Sequence, residues 1–171
     1  MREPTNTRDR TAQSTEGTLE SYVRAFPAED ADALATHLAV ASASTFLVRG
    51  IEERIQELGF ELSRPRYSIV RMLYLSPEQG MAQSDIAQAL SVSGSNVTQL
   101  IDALVTEGWV ERIASPADKR VTYASLTDEG KRRAAILVPA IVNYMVESCT
   151  ALDRDEQAQL RVLIAKLRGS A

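Results

Sequence analysis

The chain has 171 residues, of which 44% are hydrophobic and 25% charged, the profile of one ordinary globular domain. A chain of this size buries most of the surface it exposes when unfolded, which excludes a disulfide-stapled miniprotein and a chain disordered over most of its length. The net charge of −4 argues against nucleic acid only as an average. Residues 1–32 hold four arginines against seven carboxylates, whereas residues 112–133 hold six cations against Asp118, Asp128 and Glu129, and a basic segment on an acidic protein can be a polyanion footprint.

Residues 1–17 are polar and without periodicity, which reads as a mobile tail and not as a secretory signal. Residues 18–26 read as a short helix. From 28 to 58 the apolar residues Leu34, Leu38, Ala41, Thr45, Val48, Ile51, Ile55 and Leu58 recur at steps of three and four, the mark of a helix with one apolar stripe. A helix of that length needs a second surface to cover it. A second copy of the chain is the simplest supplier, and a long intrachain core helix is the other reading. Ser63, as the cap, with Pro65 opens the next helix, which ends near Ser76-Pro77. No apolar run approaches the ~18 residues that span a membrane, so a cytoplasmic protein without a membrane partner is expected.

Residues 83–90 read as a short helix with Ile86, Ala87 and Leu90 inward. Residues 91–94 form a tight turn whose Val92 plugs the core. Residues 95–107 read as a second helix with Val97, Leu100, Ile101 and Leu104 inward, stopped by Gly108. This is a helix-turn-helix pattern. The outer face of the second helix shows Ser95, Asn96, Thr98, Gln99 and Asp102. Asn and Gln amides can pair bidentately with adenine, and hydroxyls serve phosphates and base edges. A polar solvent face on an amphipathic hairpin is the alternative. Residues 109–114 and 121–126 then read as two β-strands around the turn SPADKR, a wing. Lys119 and Arg120 at its tip can reach phosphate or the minor groove, with Asp118 orienting the arginine.

Residues 129–150 carry Ala134, Leu137, Ile141, Tyr144, Met145 and Cys149 on one helical face, with Pro139 expected to kink it. Cys149 is the only cysteine, which fits a reducing compartment. It reads as a small buried hydrophobe and not as a redox sensor. It lies far from the only histidine, His37, so no zinc site, and no metal or cofactor at all, is expected. Asp153 or Asp155 caps a last helix bearing Leu160, Leu163, Ile164 and Leu167.

The motifs V-S-x-x-x-V-T-x-L-I-D-x-L at 92–104, E-G-W-V-E-R at 107–112, P-A-D-K-R at 116–120 and L-T-D-E-G at 126–130 resemble the winged-helix core of the MarR (multiple antibiotic resistance regulator) family. The likeness extends more loosely over about 30–168. It implies a mainly α fold with a small β-wing, in which a winged helix-turn-helix domain is flanked by N- and C-terminal dimerisation helices. The division that follows is a tail at 1–27, a dimerisation helix at 28–62, a DNA-binding lobe at 63–128 and C-terminal dimerisation helices at 129–171.

The resemblance further implies a homodimeric, sequence-specific regulator of transcription, often a repressor. Its partner would be double-stranded DNA, and a small aromatic or other organic ligand would lower its affinity. By the resemblance Ser93, Ser95, Asn96, Thr98 and Gln99 match recognition-helix positions, and Asp118 and Arg120 match the wing motif. Many family members carry Arg at the positions of Gln99 and Ala103. Charge must then come from Arg64, Arg66, Arg112, Lys119, Arg120 and Lys131-Arg132-Arg133, and a shallow salt dependence is expected. His37, Phe46, Arg49, Tyr67, Arg71, Tyr74 and Tyr144 are residues that could line a ligand crevice, although each also reads as ordinary packing.

No nucleophile motif or glycine-rich phosphate loop occurs, so an enzyme is not expected. A winged module that binds a protein partner, with weak or no specific DNA binding, is the alternative function.

Overall fold

A computed structural model describes residues 17–18, 20–25, 31–76, 80–114 and 122–169. They fall into two compact units, Met1–Gly50 and Ile51–Ala171. Within the first, residues 20–25 are helical with Tyr22 and Val23 exposed. Apart from Gly17, the expected tail lies outside the described residues, as do positions 28–30 of the expected long helix.

That helix, α1, runs Ala31–Glu57, about 40 Å at 1.5 Å per residue. Of its stripe, Leu34, Leu38 and Val48 are half-buried, Ala41 and Thr45 are exposed, and Ile55 in the second unit is fully buried. A window of α1 with mean hydropathy 1.3 is long and apolar enough, by length and composition, to cross a membrane. This corrects the expectation that no run approaches that length. Six alanines between Ala31 and Ala43 raise the mean without supplying bulky apolar side chains, and Thr36, His37, Ser42, Ser44 and Thr45 interrupt them.

The second unit contains α2 (Arg64–Leu75), β1 (Met81–Ala82), α3 (Gln83–Leu90), α4 (Gly94–Thr106), β2 (Val110–Ala114), β3 (Thr122–Leu126), α5 (Asp128–Glu147) and α6 (Arg154–Leu167). The three strands form one antiparallel sheet in the order β1-β3-β2. α2 packs on α5 and α4, α3 packs on α4, and the sheet closes one side. The fully buried Ile55, Ile69, Ile86, Ile101, Leu137 and Ile141 form the centre of a single core. The fold is mainly α with a small β-wing, a winged helix-turn-helix.

Local chemistry sets the joints. α1 ends as Gly59, at φ +78°, donates to Gln56 O and Phe60 donates to Ile55 O, the paired bonds of a Schellman cap. α4 ends the same way, with Gly108 at φ +73° donating to Val105 O and Trp109 donating to Leu104 O. β1 was not foreseen, because two residues are too few to show alternation. Gly80 beside it allows the close approach: a Cβ there would lie 2.9 Å from Ala124 O.

Two expectations are corrected in detail, and one open alternative is decided. Ser63 sits at the N-cap of α2, but its hydroxyl accepts from Arg66 Nε at 3.1 Å and caps no backbone amide. Pro65 has already removed one donor from that first turn. Asp153, not Asp155, caps α6, in a capping box with Glu156. Cys149 is exposed, because α5 stops at Glu147 and the helical period that assigned Cys149 to the apolar face does not reach it. Pro139 lies within a continuous α5.

Candidate nucleic-acid interface

The second helix of the helix-turn-helix presents its N-terminal half outward. α3 closes on Ser91, which adopts the left-handed φ of 55°. Val92 follows, half-buried against the core as expected. Ser93 caps α4 by accepting from Asn96 N at 3.3 Å, and its hydroxyl lies 3.0 Å from Ser95 Oγ. Thr98 Oγ1 donates back to Gly94 O at 3.0 Å. Ser93, Ser95, Asn96, Thr98 and Gln99 are all exposed along this face, while Val97, Ile101 and Leu104 on the opposite face are buried. Among the described residues, the Asn96 and Gln99 side-chain amides make no hydrogen bond. The first two turns of α4 therefore offer the open amides of Asn96 and Gln99, hydroxyls and a positive helix end toward an anion.

The wing starts at once. Val110 pairs with Leu126 and Ala114 with Thr122. Beyond the buried Val110, β2 is exposed throughout. Asp118, Lys119 and Arg120 lie outside the described residues, in the segment between Ala114 and Thr122.

The cations expected to supply charge are largely matched internally. Arg112 pairs with Asp102 at 2.5 Å, and Arg66 pairs with Glu107. Lys131 lies 3.7 Å from Asp128, and Arg132 and Arg133 both reach Glu129. Hydrogen bonds from Arg132 and then Arg133 hold the Glu129 carboxyl below the usual carboxylate range. Arg64, at the first position of α2, is exposed and has no ion pair among the described residues.

One grouping was not foreseen in the sequence. Trp109, 4% exposed, sits between the end of α4 and the start of β2. Its ring lies 5.5 Å from that of Phe60, and the Arg133 guanidinium is 5.4 Å from its centroid, within cation–π range. Two adjoining surface crevices of about 550 and 400 Å³ share Gly59, Phe60 and Glu61. Arg66 lines one, and Glu107 and Arg133 line the other. The sequence signal was the lone tryptophan after Glu107-Gly108. Of the residues named for a ligand crevice, Tyr67 is buried, and its hydroxyl has no hydrogen-bond partner among the described residues. Burial raises its pKa, and the nearby Arg71 partly opposes the shift.

Comparison with known proteins agrees with this arrangement. Residues 62–122 match the model of the MarR family. The chain is 34% identical over 100 residues to the HTH-type transcriptional regulator YkoM of Bacillus subtilis, an alignment covering 58% of this chain and 64% of that protein. It thus spans slightly under two thirds of that relative. It is 38% identical over 119 residues to YpoP of the same organism, covering 68% of this chain and 82% of YpoP. The crystal structure of an S. aureus MepR–DNA complex superposes with a TM-score of 0.69 at 20% identity, over 77% of this chain and 94% of that one. By its motifs, its winged fold and its identity to YpoP, the chain belongs to the MarR family.

Proposed function

We propose that the protein is a sequence-specific DNA-binding transcriptional regulator, a repressor, acting as a homodimer on a pseudopalindromic operator. The observation that carries this reading is the exposed N-terminal face of α4, with Asn96 and Gln99 open, immediately followed by a β-wing. In it, Asn96 and Gln99 read base edges. Ser93, Ser95, Thr98 and Arg64 hold phosphates, and Lys119 and Arg120 reach the flanking groove, with Asp118 orienting Arg120. The MepR complex with DNA supports the reading by fold alone.

The lobe 63–128 is the DNA-binding part in this proposal, and 28–62 and 129–171 form the dimer. Each compact unit leaves apolar side chains uncovered: Leu47 in the first, and Val146, Leu160, Leu163 and Leu167 in the second. Such residues belong at an interface between copies. Two recognition helices about 34 Å apart would read successive half-sites. A small organic ligand that favours another spacing would lower affinity by its differential binding to the two states.

The test is a salt titration of binding to the duplex upstream of the protein's own gene, beside a scrambled duplex. Tight, salt-sensitive binding to the first alone is expected. Arg120→Ala should weaken binding to all sequences, and Asn96→Ala or Gln99→Ala should relax preference at particular bases. The internally matched cations favour a second reading, a winged module for a protein partner. Equal, weak binding to both duplexes, unaltered by Arg120→Ala, would favour it.

A further inference from the structure

Glu107 is the C-cap of the recognition helix, directly after Thr106, and two other helices hold it. Its carboxylate accepts from Arg66 Nη1 on α2. Its backbone carbonyl accepts from Arg133 Nη1 on α5 at 3.2 Å. The next residue is Gly108, and the one after is Trp109, under the Arg133 guanidinium. Arg66 is itself fixed at its other fork, where Nε donates to Ser63 Oγ at 3.1 Å. Both members of the Arg66–Glu107 pair are partly withdrawn from water, with side-chain exposures of 21% and 36%. The Nε and Nη1 donors of Arg66 are thus committed to Ser63 and Glu107, and swinging the side chain out to a phosphate would leave the Glu107 carboxylate unmatched.

We propose that Arg66 is a positioning residue. Through the Glu107 carboxylate it fixes the C-terminal end of α4, and with it the angle at which Asn96 and Gln99 meet DNA. The proposal rests on the DNA-binding reading above. The lever is long. Asn96 lies eleven residues from Glu107, roughly 16 Å along the helix, so a swing of about 5° at the clamp moves it by about 1.4 Å. A bidentate amide–base pair does not survive such a shift, because hydrogen-bond geometry tolerates only tenths of an ångström. Attraction to the phosphate backbone is largely indifferent to it. The clamp therefore governs discrimination between sequences and leaves general affinity alone.

The experiment uses the full chain, a duplex that the wild type selects from a random pool, and a scrambled duplex of equal composition. Arg66→Met and Glu107→Ala are each expected to lower the selected-to-scrambled affinity ratio about tenfold, the cost of one poorly met base contact. In Arg66→Met the salt slope on the scrambled duplex should not change. Emission from Trp109, the only tryptophan, should shift to the red and become more accessible to quencher. The swapped pair Arg66→Glu with Glu107→Arg should restore both ratio and emission, which separates lost positioning from lost folding.

If Arg66→Met flattens the salt slope by about 0.9 with the ratio intact, Arg66 is a phosphate contact and the proposal falls. Unchanged ratio and emission in both single variants overturn it as well. A wild type that selects no duplex defeats the DNA-binding reading separately, and Trp109 emission still decides whether the clamp holds the helix.

Discussion

Arg112 Nη1 of β2 lies 2.5 Å from Asp102 Oδ1 of α4, so the one charged side chain of the recognition helix is neutralised by the wing strand beside it. The pair is exposed, and its contribution to stability is below about 1 kcal/mol. Its electrostatic role is larger. Asp102→Asn should leave melting nearly unchanged while releasing a guanidinium beside the DNA-facing surface. Affinity for any duplex should rise, with the salt slope steeper by roughly 0.9. An unchanged slope would put Arg112 out of reach of phosphate.

Gly130 answers to packing. Its amide donates to Thr127 Oγ1 at 2.8 Å, and a Cβ at this position would lie 2.0 Å from Trp109 O. That carbonyl already accepts from Thr127 N, so neither backbone segment can yield cheaply. Gly130→Ala should cost about 2–4 kcal/mol in urea unfolding. A loss below 1 kcal/mol would mean that the α5 start can move.

The orphaned hydroxyl of Tyr67 gives a prediction of opposite sign. Tyr67→Phe keeps the buried ring and removes an unsatisfied polar group, so stability should hold or rise by up to about 1 kcal/mol. Burial, opposed by Arg71, raises the folded-state pKa of the phenol. The unfolded chain therefore loses this proton first as pH climbs through about 10, and the wild type loses stability there. The variant should lack that alkaline component in thermal melts.

At the start of α5 the sign reverses. Hydrogen bonds from Arg132 and then Arg133 depress the Glu129 pKa. The associated stability is present above the unfolded value of about 4.3 and is lost as pH falls through the lower folded value. The difference in melting temperature between wild type and Glu129→Gln should be largest near neutrality and vanish in acid. A difference that persists below the folded value would exclude ionisation as its source.

The helix-turn-helix was legible almost to the residue, since α3 matches 83–90 and α4 begins at Gly94. Apolar spacing and Gly108 mark both boundaries locally. What sequence could not carry was pairing over distance. Arg66 and Glu107 stand 41 positions apart, and nothing in either neighbourhood announces the partner. The basic count over 112–133 and its local counter-charges Asp128 and Glu129 were legible, but the neutralisation of Arg112 by Asp102 on α4 was not. Cys149 failed for the opposite reason. A local period was carried past the helix end, which is set by where the α5 hydrogen bonds stop at Glu147.

Only Glu107, Gly108 and Trp109 separate α4 from β2, and all three are tied to the helix or sheet they join. A single inserted residue there would slip β2 by one position against β3. In a pleated strand that exchanges the two faces, carrying Val110 out of the core and Glu111 into it. Chain length at this corner is thus fixed as strictly as composition is elsewhere, and a longer wing can be built only from residues added beyond Ala114.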